Sequence, residues 1–153
     1  MPAHSESRIL PYTPDFIYAI VADVERYPEF VPWCAGLRIL AHEPMPWGEV
    51  LWAETLVGYK ALRERYTSRV ELEPAIRRID VVETEGPFRQ LENHWRFSSA
   101  GPGCRVDFSI LFEFKSRLLG RVAGTALGLV MTRMTDAFEA RARSLSHAST
   151  SSG

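Results

Sequence analysis

The chain has 153 residues, 46% of them hydrophobic, which is enough for one sizeable core and leaves little for a second. Its formal net charge of -1 gives the molecule as a whole no electrostatic basis for tight nucleic-acid binding; sixteen of its 18 basic residues are arginines, a bias that reads as genomic composition or as a planar-cation surface suited to phosphate. The two cysteines, Cys34 and Cys104, allow at most one bridge in a domain that does not need it, so a reducing compartment is expected.

Residues Met1 to Arg8 carry neither the apolar core of a signal peptide nor an Arg-rich amphipathic presequence, and a cytoplasmic location is the expectation. A short strand at about Ser5 to Leu10 gives way to Pro11. Thr13-Pro14-Asp15 then signals a helix start, with Thr13 as cap and Pro14 at the first helical position. Phe16, Ile17, Ile20, Val21 and Val24 recur at helical spacing and give that helix one buried face, which Pro28 is expected to end. Arg26 to Phe30 has room only for a short second turn before Pro32.

From Leu37 to Phe114 the pattern changes to strands, with turn clusters at Glu43 to Gly48, Glu73 to Ala75, Glu85 to Pro87 and Ala100 to Gly103. Val106, Phe108, Ile110, Phe112 and Phe114 alternate with Arg105, Asp107, Ser109, Leu111 and Glu113, the period of a half-buried antiparallel strand. Tyr66, Ser68, Val70 and Leu72 repeat the theme, as do Leu91, Trp95 and Phe97. The last segment, Leu118 to Leu145, predicts one helix of about 40 Å at 1.5 Å per residue. Leu119, Val122, Ala126, Leu127, Val130, Met134, Phe138 and Leu145 mark its apolar face. The small polar residues 147–153 are expected to fray, so residues 1–146 form the predicted domain. Six or seven antiparallel strands with helices segregated to one face define an α+β domain.

Three glycines, Gly120, Gly124 and Gly128, share one stripe of the last helix, each costing about 1 kcal/mol relative to Ala. The uncharged run from Val122 to Thr132 is too short for a transmembrane motif, which needs roughly 20 residues. Two readings stay open: close packing on the sheet, or space kept free for a long ligand, to which Met131 and Met134 would adapt. Aromatic rings concentrate at the Pro-rich elbow, in Tyr27, Phe30 and Trp33, and on inward strand faces, in Trp95, Phe97, Phe108, Phe112 and Phe114. Such rings build either an ordinary core or a site for a flat, π-rich guest.

No nucleophile, base and orienting group converge in the sequence. His4 and His147 fall in expected tails, His42 beside a turn, and His94 on the outward parity of its strand; Cys34 and Cys104 lack metal-site spacing. Arg63, Arg65, Arg69 and Arg77 or Arg78 are interleaved with Glu64, Glu71, Glu73 and Asp80, which reads as a solvated salt-bridge face or as a docking site for an acidic partner, a headgroup or ribosomal RNA.

Three ordered segments carry a family resemblance: Val21 to Cys34, with Arg26-Tyr27-Pro28-Glu29-Phe30-Val31-Pro32-Trp33 at its centre; Gly86 to Leu91 followed by Trp95-Arg96-Phe97; and Phe112 to Ser116. Together they resemble the coenzyme Q-binding START-like proteins, relatives of polyketide cyclases that include a bacterial ribosome-association toxin. The resemblance implies a helix-grip fold, a curved sheet wrapped around the long last helix with an apolar cavity between them. It implies a non-enzymatic protein that holds a polyprenyl quinone, ubiquinone, and delivers or chaperones it for respiratory electron transport, touching the membrane's inner face or respiratory complexes transiently. The ligand-binding residues it suggests here are Tyr27, Phe30, Trp33, Tyr66, Trp95, Phe97, Phe108, Phe112, Gly124, Leu127, Gly128 and Met131, with the elbow at the cavity mouth near Met131. The toxin branch implies instead a regulator bound to the large ribosomal subunit that blocks subunit joining. More distant relatives imply an aromatase or cyclase, which needs an acid-base group inside the cavity.

Overall fold

The computed structural model describes residues 3–59 and 62–151, with side chains described for 3–58, 63–118, 121 and 131–146. Seven strands form one antiparallel sheet: β1 (Ala3–Leu10), β2 (Cys34–Met45), β3 (Gly48–Tyr59), β4 (Leu62–Glu73), β5 (Arg78–Glu85), β6 (Phe88–Ala100) and β7 (Gly103–Phe114). Their order across the sheet is β1-β7-β6-β5-β4-β3-β2, so successive strands from β2 to β7 are hairpin neighbours and β1 closes the far edge on β7. Register shifts at Cys34/Gly36, Ile39/Ala41, Thr67/Ser68 and Phe88/Gln90 bend the sheet. Two helices, α1 (Pro14–Ala22) and α2 (Arg117–Ser151), complete the helix grip, and α2 packs against α1, β1 and β7.

The local signals explain most boundaries. The Thr13 hydroxyl accepts from the Phe16 N–H at 3.2 Å, and Pro14 occupies the first turn of α1, where its missing donor costs nothing. Gly48 opens β3 because a Cβ there would stand 2.0 Å from the Leu72 carbonyl oxygen, and Gly101 takes the left-handed conformation (φ +57) that turns β6 into β7.

Several expectations need correction. Helix α1 ends at Ala22, where Asp23 leaves helical geometry; Val24 to Glu29 form a 3-10 turn that contains Pro28. The expected turn at Glu43 to Gly48 shrinks to Pro46 and Trp47, because β2 runs on through Pro44 to Met45 at a sheet edge, where a missing N–H is tolerated. Helix α2 continues to Ser151, taking in residues 147–151 that were expected to fray, and Leu145 is exposed rather than part of a buried stripe. His4 lies in β1, opposite Ile110, and not in a tail.

The main core fills the space between the inner sheet face and the helices. Ile17, Tyr18, Ile20 and Val21 of α1, Met131, Met134, Phe138 and Ala142 of α2, and Trp95, Phe97, Val106 and Phe108 of the sheet are all buried there. Cys34 and Cys104 are both buried free thiols. Burial pushes the Cys34 thiol up to about 11, so it stays protonated and inert near neutral pH.

Candidate functional site

The elbow between α1 and β2 is tied by its own backbone. The Tyr27 carbonyl accepts from Phe30 N at 3.1 Å and from Val31 N at 2.8 Å, and the Trp33 carbonyl accepts from Gly58 N at 2.9 Å, fastening the segment to β3. The Tyr27 hydroxyl donates to the Val21 carbonyl, and burial raises its pKa far above the ordinary tyrosine value. These bonds hold Tyr27 and Phe30 edge-on to Phe138 of α2, with ring centroids 5.2 and 5.1 Å apart. Arg141 lies over the Phe30 ring at 5.1 Å and reaches Glu29 at 3.3 Å, covering the elbow from the helix side.

Phe138 also meets Trp95 edge-on at 5.3 Å, and Trp95 continues to Phe108 at 4.5 Å and to Phe97, stacked, at 6.1 Å. The rings therefore run without interruption from the elbow to the inner face of β6 and β7. Trp95 Nε1 donates to Asn93 Oδ1 at 2.8 Å, and Asn93 Nδ2 donates to the Ser109 carbonyl at 3.0 Å, which fixes the indole in place. Trp33 packs against this same core, but its Nε1 is shielded from solvent without a hydrogen-bond partner among the described residues.

Of the sequence-predicted ligand residues, Tyr27, Phe30, Trp33, Trp95, Phe97, Phe108 and Met131 thus share one cluster. Tyr66 and Phe112 belong to a second, with Phe88, Leu91 and Phe114, in which Phe88 stands 5.6 Å from Tyr66 and 4.6 Å from Phe114; Ile110 packs against both clusters. The side chains at Gly124, Leu127 and Gly128, together with Gly120, lie outside the described residues. The ring contacts to the elbow fall at Phe138 and Arg141 of α2, about 10 and about 15 Å along the helix from Met131 at 1.5 Å per residue.

The sequence reading missed a set of polar groups on the inner face. In β1, Glu6 stands opposite Phe108 and Arg8 opposite Val106, so His4, Glu6 and Arg8 share the face of the buried Leu10, whereas Ile9 points outward and is 65% exposed. The alternation of His4, Glu6, Arg8 and Leu10 with Ser5, Ser7 and Ile9 was available as a signal, but Leu10 is its only apolar anchor. Arg8 Nη2 lies 2.8 Å from Asp136 of α2. Glu6 and Arg8 line a small cleft with Thr135, Trp95, Phe108 and Phe138, whose free space of about 20 Å³ suits one water or hydroxyl group. On β5, Glu83 shares the inner parity of Ile79 and Val81. Burial raises its pKa, opposed by the Phe88 N–H that donates to it at 3.2 Å.

The outer face carries an ion-pair network. Arg78 reaches Glu73 at 2.8 Å and Glu71 at 3.0 Å and pairs with Asp80, while Arg69 reaches Glu71 at 2.9 Å. Asp80 also accepts from His94 at 2.6 Å and from Arg96 at 2.9 Å. Burial raises the Asp80 pKa, but the hydrogen bonds from Arg96, His94 and Arg78 outweigh it and hold the carboxyl at about 2. Arg77 leaves this face and pairs with Asp15 of α1 at 2.7 Å. Among the described residues no group of three or more His, Cys, Asp or Glu is arranged for a metal, and no helix is long and apolar enough to cross a membrane.

The family described as polyketide cyclase/dehydrase and lipid transport matches residues 10–139. A ribosome association toxin, RatA, of Rickettsia prowazekii is 34% identical over 94% of this chain and 97% of its own. The mitochondrial coenzyme Q-binding protein COQ10 homolog B of Xenopus laevis is 37% identical over 91% of this chain, which spans 57% of the frog protein. Among solved structures, an 18 kDa protein of Caulobacter crescentus superposes with a TM-score of 0.83 at 39% identity, covering 96% of this chain and 99% of that one.

Proposed function

The chain belongs to the polyketide cyclase/dehydrase and lipid transport family, and from that premise we propose that it binds a polyprenyl quinone, ubiquinone, without transforming it, and chaperones or delivers it for respiratory electron transport. The observation that carries this reading is the Phe138 hub, on which Tyr27 and Phe30 of the elbow and Trp95 of the sheet converge within 5.1 to 5.3 Å. Aromatic rings suit a flat, π-rich guest, and the elbow would hold one at low entropic cost because backbone bonds already fix it. The isoprenoid tail would run between α2 and the inner sheet face past Met131, Leu127 and the stripe of Gly128 and Gly124, with Tyr66 and Phe112 along its course. Burial of its apolar area, at about 25 cal/mol per Å², supplies the driving force. The relatives named for coenzyme Q binding support this assignment.

Solvent extraction of purified protein followed by mass spectrometry tests it. A co-purified quinone in near-stoichiometric amount is expected; protein that carries none, and takes none up after incubation with quinone-containing vesicles, would contradict it.

A second reading, a ribosome-associated regulator acting on the large subunit, is favoured by relatives named as ribosome association toxins that match this chain over most of both lengths. Against a phosphate-binding use of the outer face stands the engagement of Arg69 and Arg78 by Glu71, Glu73 and Asp80. Cosedimentation of lipid-free protein with ribosomal subunits across a salt series separates the two, since phosphate contacts give a steep salt slope.

A further inference from the structure

We propose that one end of the molecule, where the β3–β4 and β5–β6 connections meet the junction of β7 with α2, docks on an anionic lipid bilayer, with Leu118 entering the headgroup layer. Docking does not depend on the bound ligand; that it brings the tail of a quinone to the bilayer rests on the ubiquinone reading above.

Consecutive antiparallel strands connect at alternate ends of the sheet, so these three links lie together. Lys115 N donates to the Pro87 carbonyl at 2.9 Å and ties the entry to α2 to the β5–β6 connection. Arg63 and Arg65 of β4, Arg89 of β6, and Lys115, Arg117 and Arg121 are all exposed at this end, where the carboxylates Glu64, Glu83, Glu85 and Glu113 are fewer. Arg65, Arg89, Arg117 and Arg121 form no ion pair among the described residues. The opposite end is neutralised. There Arg77 pairs with Asp15 at 2.7 Å, Arg78 with Glu73 at 2.8 Å and Arg105 with Asp107 at 3.0 Å.

The cationic end is unfavourable for the protein alone. Arg117 and Arg121 stand about one turn apart on α2, a like-charge pair, and the first turn of that helix holds no acidic residue. An anionic surface outside the molecule relieves this repulsion. Leu118 lies beside both arginines and is 73% exposed, more than any other large apolar side chain among the described residues. Leu56, 36% exposed, stands across the β3–β4 pair from Arg65. Leucines interleaved with unpaired cations suit a bilayer interface, where phosphates meet the cations and acyl chains meet the leucines; an RNA backbone offers the leucines nothing. Because α2 begins here, the tail course proposed along it opens at the same surface.

Flotation of delipidated protein tests it, with vesicles of phosphatidylcholine alone or of phosphatidylcholine mixed with phosphatidylglycerol, at low and high salt. Binding to the mixed vesicles, weakened by salt, is expected. Arg117→Gln and Arg121→Gln should each reduce it about fivefold, the worth of one cation near an anionic surface, and so should Arg65→Gln and Arg89→Gln, which leave α2 untouched. Leu118→Ser should weaken binding without flattening its salt dependence. Arg133→Gln removes an exposed arginine that also lacks an ion pair among the described residues, about 18 Å along α2 from Arg121, and should bind as the parent does. Equal binding to both vesicle types, or an equal loss in Arg133→Gln, overturns the proposal. Binding of ribosomal subunits and not of mixed vesicles, reduced by Arg117→Gln but indifferent to Leu118→Ser, assigns the surface to RNA and overturns the bilayer. The vesicles hold no quinone, so docking by a protein that takes up no ubiquinone in dialysis upholds this surface and overturns the quinone reading. Saturable ubiquinone uptake without vesicle binding does the reverse.

Discussion

Phe138 of α2 receives Trp95 of β6 edge-on at 5.3 Å, and this contact joins the elbow to the sheet. Phe138 is 6% exposed and serves three rings at once, so Phe138→Ala should cost about 3 to 5 kcal/mol in unfolding free energy. Urea denaturation at neutral pH checks the value, and Phe138→Leu, which keeps most of the volume, should retain stability better while weakening quinone binding.

Trp33 offers a cleaner separation of binding from stability. Its Nε1–H is shielded without a partner among the described residues, so Trp33→Phe removes that donor along with part of a ring. Its unfolding free energy should change by less than about 1 kcal/mol, while ubiquinone affinity drops roughly fivefold, the worth of one neutral hydrogen bond. Thermal melts and dialysis on the same preparation measure both.

The edge-strand contact of Arg8 with Asp136 is partly screened, because the Asp136 side chain is 60% exposed. Asp136→Asn should therefore lower stability by no more than about 1 kcal/mol, and the loss should shrink at high salt. A denaturation series at low and high sodium chloride reads this out.

Asp80 gives a pH signature with a defined sign. Its carboxyl is held at about 2, below the ordinary aspartate value of about 3.9, so its contribution is fully present above about pH 4 and is lost as pH falls towards 2. Asp80→Asn should be less stable at neutral pH and should show a shallower loss of stability between about pH 4 and 2. Parallel acid titrations of parent and variant, followed by circular dichroism, test the difference.

How much of this was legible in the sequence depended on whether a residue's partner was of the same chemical kind. Strict alternation in Val106 to Phe114 and the Thr13-Pro14 start of α1 place their elements correctly, because period and cap are local properties. The elbow rings were identifiable from Pro28 and Pro32, but their partner was not: Phe138 is one apolar position among many on a long helix, and only the packing angle selects it. Glu6 and Arg8 were only weakly marked as inward groups, by their parity with Leu10, because the charged residues of an edge strand ordinarily face water, and here α2 covers them. The Pro28 boundary failed because a 3-10 turn accommodates the proline after α1 has already ended at Ala22.

The glycine stripe carries its own test, because the proposed course of the isoprenoid tail needs Gly124 to keep space free. Gly124→Leu should abolish ubiquinone uptake while the melting transition stays cooperative; equal binding would make the stripe a packing feature.

The most direct measurement is a titration of delipidated protein with short-chain ubiquinone by equilibrium dialysis, repeated at low and high salt. The account predicts saturable one-to-one binding that salt does not weaken, because burial of apolar area drives it. Failure to saturate, together with salt-sensitive cosedimentation of the same lipid-free protein with ribosomal subunits, would contradict it.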